Sequence, residues 1–311
     1  MPLAILFLAA LAWPAEQTFR LEGRIEPEAR AAITLYGSTA PFNSSTLTGP
    51  GGRFEVKNLL AGTYTLAVFL PNRGEIRQTI EVGPGTADER GTVAVTVKVE
   101  ESRLSRQEAD LKHKISARQL SLPEKAKRAY ADAQKRLEKR EVEAAVKRLQ
   151  DAVKIAPDFV EAWNFLGTIY YQTQQYPKAE QMFRTALEKD PEAYSPLVNL
   201  GGVLLTLNRA GEALPYNLRS VVSHPEDALA NSQLGMNYFM LGNLDSSKKY
   251  LLEAKRLDPA HFSLPQWTLA QIYVRTGDPK AAAAEMEEFI RLHPDSPDRE
   301  RAKAAIEALR R

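Results

Sequence analysis

Residues 160–191 read VEAWNFLGTIYYQTQQYPKAEQMFRTALEKDP. Within that stretch Trp163, Leu166, Gly167, Tyr170, Ala179, Phe183, Ala186 and Pro191 fall at helical spacing in two runs separated by a turn. Small residues at Gly167, Ala179 and Ala186 let two antiparallel helices approach closely, and Tyr170 and Phe183 fill the space beside them. The proline ends the second helix and begins the next turn. The pattern then recurs: Pro157, Pro191, Pro225, Pro259 and Pro294 follow one another at spacings of 34, 34, 34 and 35 residues. Leu200, Gly201, Ala213 and Pro225 repeat it, as do Leu234, Gly235, Tyr238, Ala254 and Pro259. The last unit keeps Leu269, Ala270, Tyr273, Ala282 and Pro294, and a degenerate first unit keeps Ala133, Ala145, Leu149, Ala152 and Pro157.

A helix–turn–helix unit of 34 residues with these positions resembles the tetratricopeptide repeat. One pair of helices cannot bury its apolar stripe alone, so neighbours must stack into a solenoid. Five units are expected, at 124–157, 158–191, 192–225, 226–259 and 260–294, with a charged closing helix at 297–311. The third unit departs from the pattern. Asn217 and Ser220 replace an aromatic and an alanine, and Pro215 lies where the second helix should run. Either Glu212–Leu214 is the first turn of that helix or the helix is kinked, and this unit is expected to be the soft spot of the array.

Ahead of the repeats, residues 16–100 have strand texture. Thr18–Ile25, Ala31–Tyr36, Arg53–Val56, Thr63–Leu70, Glu75–Val82 and Thr92–Val99 alternate apolar with polar residues between Gly, Pro and Asn clusters. An antiparallel sandwich of about seven strands is predicted. Phe19 and Leu21 should face inward, and Thr18, Arg20 and Glu22 outward. The segment Gly51–Val68, with Gly52, Phe54, Leu59, Leu60, Gly62, Thr63, Tyr64 and Leu66, resembles the carboxypeptidase regulatory-like, transthyretin-like sandwich domain. That resemblance implies a non-catalytic accessory that stabilises, spaces or binds. Gly62 suits a left-handed turn position. The fold class expected is thus multidomain, an all-β sandwich followed by an all-α solenoid, joined by a charged linker at 101–123 with some helix around Leu104–Lys112.

The almost wholly apolar run Pro2–Ala12, with small residues at Ala10, Ala12 and Ala15, resembles an export signal spanning residues 1–15, cleaved near Ala12 or Ala15. No Lys or Arg precedes it, and a buried first strand is the alternative reading. The expectation is a periplasmic or secreted bacterial protein with no transmembrane segment. A formal net charge of +2 gives no global field for nucleic acid, and the Lys/Arg-rich stretch Arg103–Lys154 is interleaved with acids as a solvated helix surface. The absence of cysteine excludes disulfides, thiol catalysis and Cys-based zinc sites.

No chemistry-bearing motif emerges. His113, His224, His261 and His293 are not at metal spacing, Gly201-Gly202 belongs to repeat packing, and Glu285, Glu287 and Glu288 decorate a helix surface. No catalytic residue, metal or cofactor is predicted, and the protein is read as a non-enzyme.

The family resemblance instead implies a partner groove lined by the first helix of each unit. By register its residues are Tyr130 and Gln134 in the first unit, Asn164, Thr168 and Tyr171 in the second, and Val198, Gly202 and Leu205 in the third. Ser232, Met236, Phe239 and Met240 follow in the fourth, and Trp267, Gln271 and Val274 in the fifth. The lining is apolar toward its C-terminal end and suits an apolar or amphipathic protein or peptide segment. Leu205, Phe239 and Val274 serve equally well as packing between adjacent first helices, whereas Met236 and Trp267 are the leading groove residues. The alternative function is a carbohydrate- or envelope-binding module in which the sandwich does the recognition.

Overall fold

The computed structural model describes residues 17–71, 73–99 and 121–310. The export-signal run and the linker helix around Leu104–Lys112 therefore lie outside the described residues, as does His113.

Seven strands come first: β1 Phe19–Glu26, β2 Ala32–Gly37, β3 Asn43–Leu47, β4 Arg53–Leu59, β5 Gly62–Leu70, β6 Gly74–Val82 and β7 Thr92–Lys98. They form two sheets, β4-β1-β7 and β3-β2-β5-β6. Alternation drives the packing. Phe19, Leu21, Ile33, Leu35, Leu66, Val68, Ile76 and Val97 point between the sheets and are buried together, while Arg20 and Glu22 face out. Two expectations are corrected. The sandwich is not wholly antiparallel, because β7 pairs with β1 in parallel, Val93 opposite Leu21 and Val97 opposite Ile25. The left-handed residue near the β4–β5 corner is Asn58 (φ 57°), which sits beside a register shift in the β1–β4 ladder, and Gly62 opens β5 at φ 157°. Tyr64 closes the corner by donating its hydroxyl to the Leu60 carbonyl at 2.9 Å. The loop at Ser38–Ser45, which has no clear signal in sequence, supplies the start of β3.

Among the described residues eleven helices follow: α1 Glu124–Glu138, α2 Val142–Ile155, α3 Val160–Gln172, α4 Tyr176–Lys189, α5 Tyr194–Thr206, α6 Ala210–Ser223, α7 Ala228–Met240, α8 Leu244–Leu257, α9 Pro265–Arg275, α10 Pro279–Leu292 and α11 Arg299–Leu309. The five pairs and the closing helix match the expected solenoid. Each pair is held by a small residue on its first helix against a larger one on its second. A Cβ on Gly167 would stand 2.5 Å from the Phe183 ring, and one on Gly235 would stand 2.6 Å from Leu251.

Each turn between paired helices uses one residue with positive φ: Arg140, Gln174, Asn208, Gly242 and Gly277. The amide of that residue and the next one bond back to carbonyls of the preceding helix, as Gln174 does to Tyr171 and Gln175 to Tyr170.

The third unit rules out the first sequence alternative, because α6 begins at Ala210 rather than at Glu212. Pro215 is the sixth residue of α6, beyond its first turn, and the helix continues through it. The carbonyl that loses its donor is that of Gly211, on the exposed side of the helix. Asn217 takes the place that Phe183 holds one unit earlier. A Cβ on Gly201 would lie 1.9 Å from its Oδ1, and its Nδ2 donates to Asn237 Oδ1 at 2.9 Å. Asn237 in turn donates to the Ala210 carbonyl at 2.8 Å, so a buried amide pair joins the third and fourth units.

The inner face of the helical array as the candidate functional site

The first helices α1, α3, α5, α7 and α9 and the turns ahead of them carry the predicted groove residues. They also carry contacts to the sandwich, joined by Arg140 of the α1–α2 turn and by His293 and Asp295 ahead of α11. The outer face of the β3-β2-β5-β6 sheet, on which Thr34, Tyr36, Ala67 and Thr79 lie, is turned toward this surface. Ala67 is only 6% exposed although it lies outside the sandwich core, and Thr79 is 8% exposed.

Two groups of polar contacts hold the arrangement. At the first unit, Arg140 donates to the Asn58 carbonyl at 2.9 Å and stands over the Phe42 ring at 5.2 Å, and the Ser44 hydroxyl donates to Glu138 at 3.1 Å. Gln172, at the end of α3, donates to the Gly37 carbonyl at 2.7 Å. Toward the far end, the β6 strand meets the turns that precede α7, α9 and α11. Thr79 donates through its amide (2.8 Å) and its hydroxyl (2.7 Å) to the buried Asp258 carboxylate, and accepts from the Phe262 amide at 3.3 Å. Glu81 accepts from the Asp295 amide at 3.1 Å and faces His293 Nδ1 at 3.3 Å. Asp295 accepts from the Gly85 amide at 2.7 Å, and Arg77 lies 3.7 Å from Asp227. Between the two groups, burial, then the neighbouring Tyr36 and Glu161, push the Tyr130 hydroxyl well above the ordinary phenol range.

The predicted groove residues divide into three sets. Tyr130 is half-buried near Tyr36, its ring packed on Phe159 (centroids 5.0 Å apart) and Phe165 (5.7 Å). Val198 and Ser232 are buried, with the Ser232 hydroxyl 2.6 Å from that of Ser263.

A second set is engaged within the array. Asn164 accepts from Asn199 at 2.9 Å, and Thr168 donates back to the Asn164 carbonyl at 3.0 Å. Leu205 packs with Leu200 and Leu204, Gln134 is half-buried, and Gly202 lies against Gln233. Trp267 sits on Phe289 (centroids 5.4 Å apart) with the Arg301 guanidinium of α11 4.8 Å over its ring, so the closing helix covers it.

The third set faces outward at the C-terminal ends of the first helices. Tyr171 and Gln271 are exposed, Val274 is 52% exposed, and Met236, Phe239 and Met240 are half-buried. Phe239 packs on Leu251, Leu269 and Ile272 while the Arg275 guanidinium stands 4.5 Å over its ring. Phe239 is therefore a packing residue between adjacent first helices, and its ring is only half-buried.

Sequence reasoning missed the acids of the turns, Asp227, Asp258 and Asp295, and the sandwich groups they hold. Asp258 precedes a repeat proline just as Asp190 does, and Asp190 accepts from the Glu192 amide of its own turn at 3.1 Å. No local signal separates the two.

One acid is corrected. Glu285 does not decorate the surface: it is buried, and Lys255 of α8 bonds both its oxygens at 2.9 and 2.8 Å and Glu288 at 2.8 Å. Burial raises the Glu285 carboxyl above its usual range, with Lys255 opposing. His224 and His261 are also buried, and burial lowers both below the usual imidazole value. His224 stacks on Tyr194 at 3.6 Å, and His261 Nδ1 lies 2.6 Å from the Ser263 hydroxyl. Among the described residues no group of three or more His, Asp or Glu side chains could hold a metal ion, and no helix is long and apolar enough to cross a membrane.

Comparison with known proteins agrees with this architecture. Tetratricopeptide repeat family models match residues 128–201, 228–261 and 266–296. The chain is 30% identical over 108 residues to the human cell division cycle protein 16 homolog, an alignment covering 32% of this chain and 17% of that protein. It is 24% identical over 156 residues to anaphase-promoting complex subunit 3 of Schizosaccharomyces pombe, covering 50% of this chain and 23% of the relative. The chain thus spans less than a third of the length of these curated relatives. Among solved structures, MamA (residues 41 to the end) from Desulfovibrio magneticus RS-1 superposes with a TM-score of 0.50 at 24% identity, covering 57% of this chain and 99% of MamA. The APC/C hetero-tetramer Cut9–Hcn1 superposes with a TM-score of 0.53 at 18% identity, covering 60% of this chain and 36% of that one. At these identities the likeness is one of fold. The helical part of this chain is an array of tetratricopeptide repeats, preceded in the same chain by a two-sheet β-sandwich.

Proposed function

We propose that this chain is a non-catalytic scaffold that holds a segment of another protein against the inner face of its repeats. The observation that carries the reading is the row left uncovered there. Met236, Met240 and Val274 lie half-buried or exposed on α7 and α9, with Phe239 half-buried under the Arg275 guanidinium, while the turns ahead of these helices are engaged by the sandwich. Adaptable methionines next to an aromatic ring suit the apolar side of an amphipathic segment. The sandwich, whose residues Gly52–Leu66 resemble carboxypeptidase regulatory-like domains, acts in this reading as a structural accessory. Its other outer surface is paired off internally as Arg20–Glu22, Arg20–Glu55 and Lys57–Glu55, which favours the array over the sandwich as the recognising surface. The apolar run Pro2–Ala12 supports placing the mature protein in the periplasm or outside a bacterial cell.

The test is crosslinked affinity capture of the mature chain from its native envelope fraction, followed by the same capture with Val274→Glu and Met236→Glu. Both positions tolerate charge without entering a core, so helicity should be unchanged while the retained protein falls at least tenfold. Undiminished capture by both variants would remove the groove assignment.

A further inference from the structure

We propose that the helical array is hinged between its third and fourth units, and that the sandwich is the strut holding this hinge at one angle. The inference goes beyond the scaffold reading, because it concerns the shape of the array and is tested without a partner.

The hinge follows from where the apolar packing stops. Among the described residues two buried clusters run through the first three units and share Tyr170 at their border. Two more run from the fourth unit through α11 and share Tyr273. No buried apolar cluster joins α6 to α7 or α8. What crosses that joint is polar. Asn217 donates to Asn237 at 2.9 Å, Asn237 donates to the Ala210 carbonyl at 2.8 Å, and on the inner face Gln233 lies against Gly202. Such contacts tolerate a change of crossing angle that interdigitated apolar side chains resist. Nor does the rest of the array reinforce the joint. Its helices pack on their sequence neighbours, and its first helices on those of the adjacent unit. A small rotation at one interface therefore swings everything beyond it.

The sandwich spans the joint. Its four-stranded sheet is about 14 Å wide at ordinary strand spacing, with β3 along α1 and β6 against the later turns. On the near side it is held by Arg140 at Asn58, by Glu138 at Ser44 and by Gln172 at Gly37. On the far side three alternate residues of β6, Arg77, Thr79 and Glu81, meet three successive turns at Asp227, Asp258 and Asp295. Alternate residues of a strand stand about 7 Å apart. β6 is paired with β5 from Gly74 to Val82, so those intervals are fixed. The far block is thus pinned at three points to the same sandwich that grips the first two units.

A chain without cysteine accepts two spin labels at chosen sites. Lys147→Cys on α2 and Ala284→Cys on α10 are exposed positions on opposite sides of the joint, and electron–electron double resonance between them reads the spread of hinge angles. Asp258→Ala with Asp295→Ala cuts the far end of the strut. Among the described residues both carboxylates accept hydrogen bonds from the sandwich alone, so packing within the array is untouched. Arg140→Gly with Gln172→Ala cuts the near end, and the φ of 59° at Arg140 suits glycine. A third variant carries all four changes.

With helicity unchanged by circular dichroism, the labelled parent should give one narrow distance distribution, and either cut should at least double its width. The third variant should be no broader than the single cuts, because a strut released at one end no longer holds. A width unchanged by the cuts, or broadening that adds up across the two ends as independent local loosening would, overturns the strut. Labels at Lys147→Cys and Glu188→Cys, both within the first block, should keep their width in every variant. Broadening between them would overturn the placement of the hinge.

Discussion

Replacing Gly167 with alanine tests the packing rule that builds every unit of the array. The new Cβ would lie 2.5, 2.7 and 2.9 Å from three atoms of the Phe183 ring, which is almost fully buried. Ordinary carbon contacts are about 3.5–4.0 Å, so ring or helix must yield by about 1 Å. Overpacking of this kind costs about 1–3 kcal/mol, and the better helix propensity of alanine returns about 1 kcal/mol. A net loss of up to about 2 kcal/mol is expected.

Gly211→Ala is the matched control. It makes the same substitution inside α6, where a Cβ would meet nothing within 4 Å, and it should stabilise the chain by about 0.5 kcal/mol. The second half of the test restores room. Gly167→Ala with Phe183→Leu recreates the Ala133–Leu149 pairing that the first unit already uses, both residues being fully buried there. The double variant should show a favourable coupling of at least about 1 kcal/mol relative to the two single changes. Urea unfolding followed by helix circular dichroism measures all four variants. Gly167→Ala as stable as Gly211→Ala, or a double variant with no coupling, would refute the close-approach explanation of the glycine.

Three further outcomes follow from the geometry. Gln174 sits at φ 59° in a turn where the fourth and fifth units use glycine, so Gln174→Gly should raise stability by about 1 kcal/mol in the same assay, and a loss would contradict the left-handed assignment. Lys255→Met strands the buried Glu285 carboxylate and should cost about 3 kcal/mol, while adding Glu285→Leu should recover at least half, as denaturant midpoints will tell. His224 and His261 are held neutral by burial, so the unfolded chain binds protons more readily than the folded one. Their contribution is therefore complete above the ordinary histidine value near 6.5 and is lost as pH falls below it. His261→Gln should flatten the fall of the urea midpoint between about pH 7 and 5, and an unchanged slope would count against this origin.

The repeats were readable because their determinants are local and periodic. Gly167 opposite Phe183 and a proline every 34 or 35 residues are constraints that each unit satisfies by itself. Strand alternation such as Phe19–Leu21 against Arg20–Glu22 was readable for the same reason. Beyond that, pattern was insufficient. It marks Phe239 as apolar but not that the ring packs on Leu269 while Arg275 covers it. It placed Trp267 on a groove position, and only the arrival of α11 put Arg301 over its ring.

What the sequence determined alone was therefore the kind of each element and which of its faces is apolar, since both are set by residues a few positions apart. What only the tertiary structure decided was which surface each face meets: β7 beside β1 in parallel, Asn217 answering Asn237, and the sandwich laid across the first helices by Asp258 and Asp295. Apolar burial repeats along the chain and leaves a period. A carboxylate accepting two hydrogen bonds from a residue far away in the chain leaves none, and it becomes visible only once folding has brought the two together.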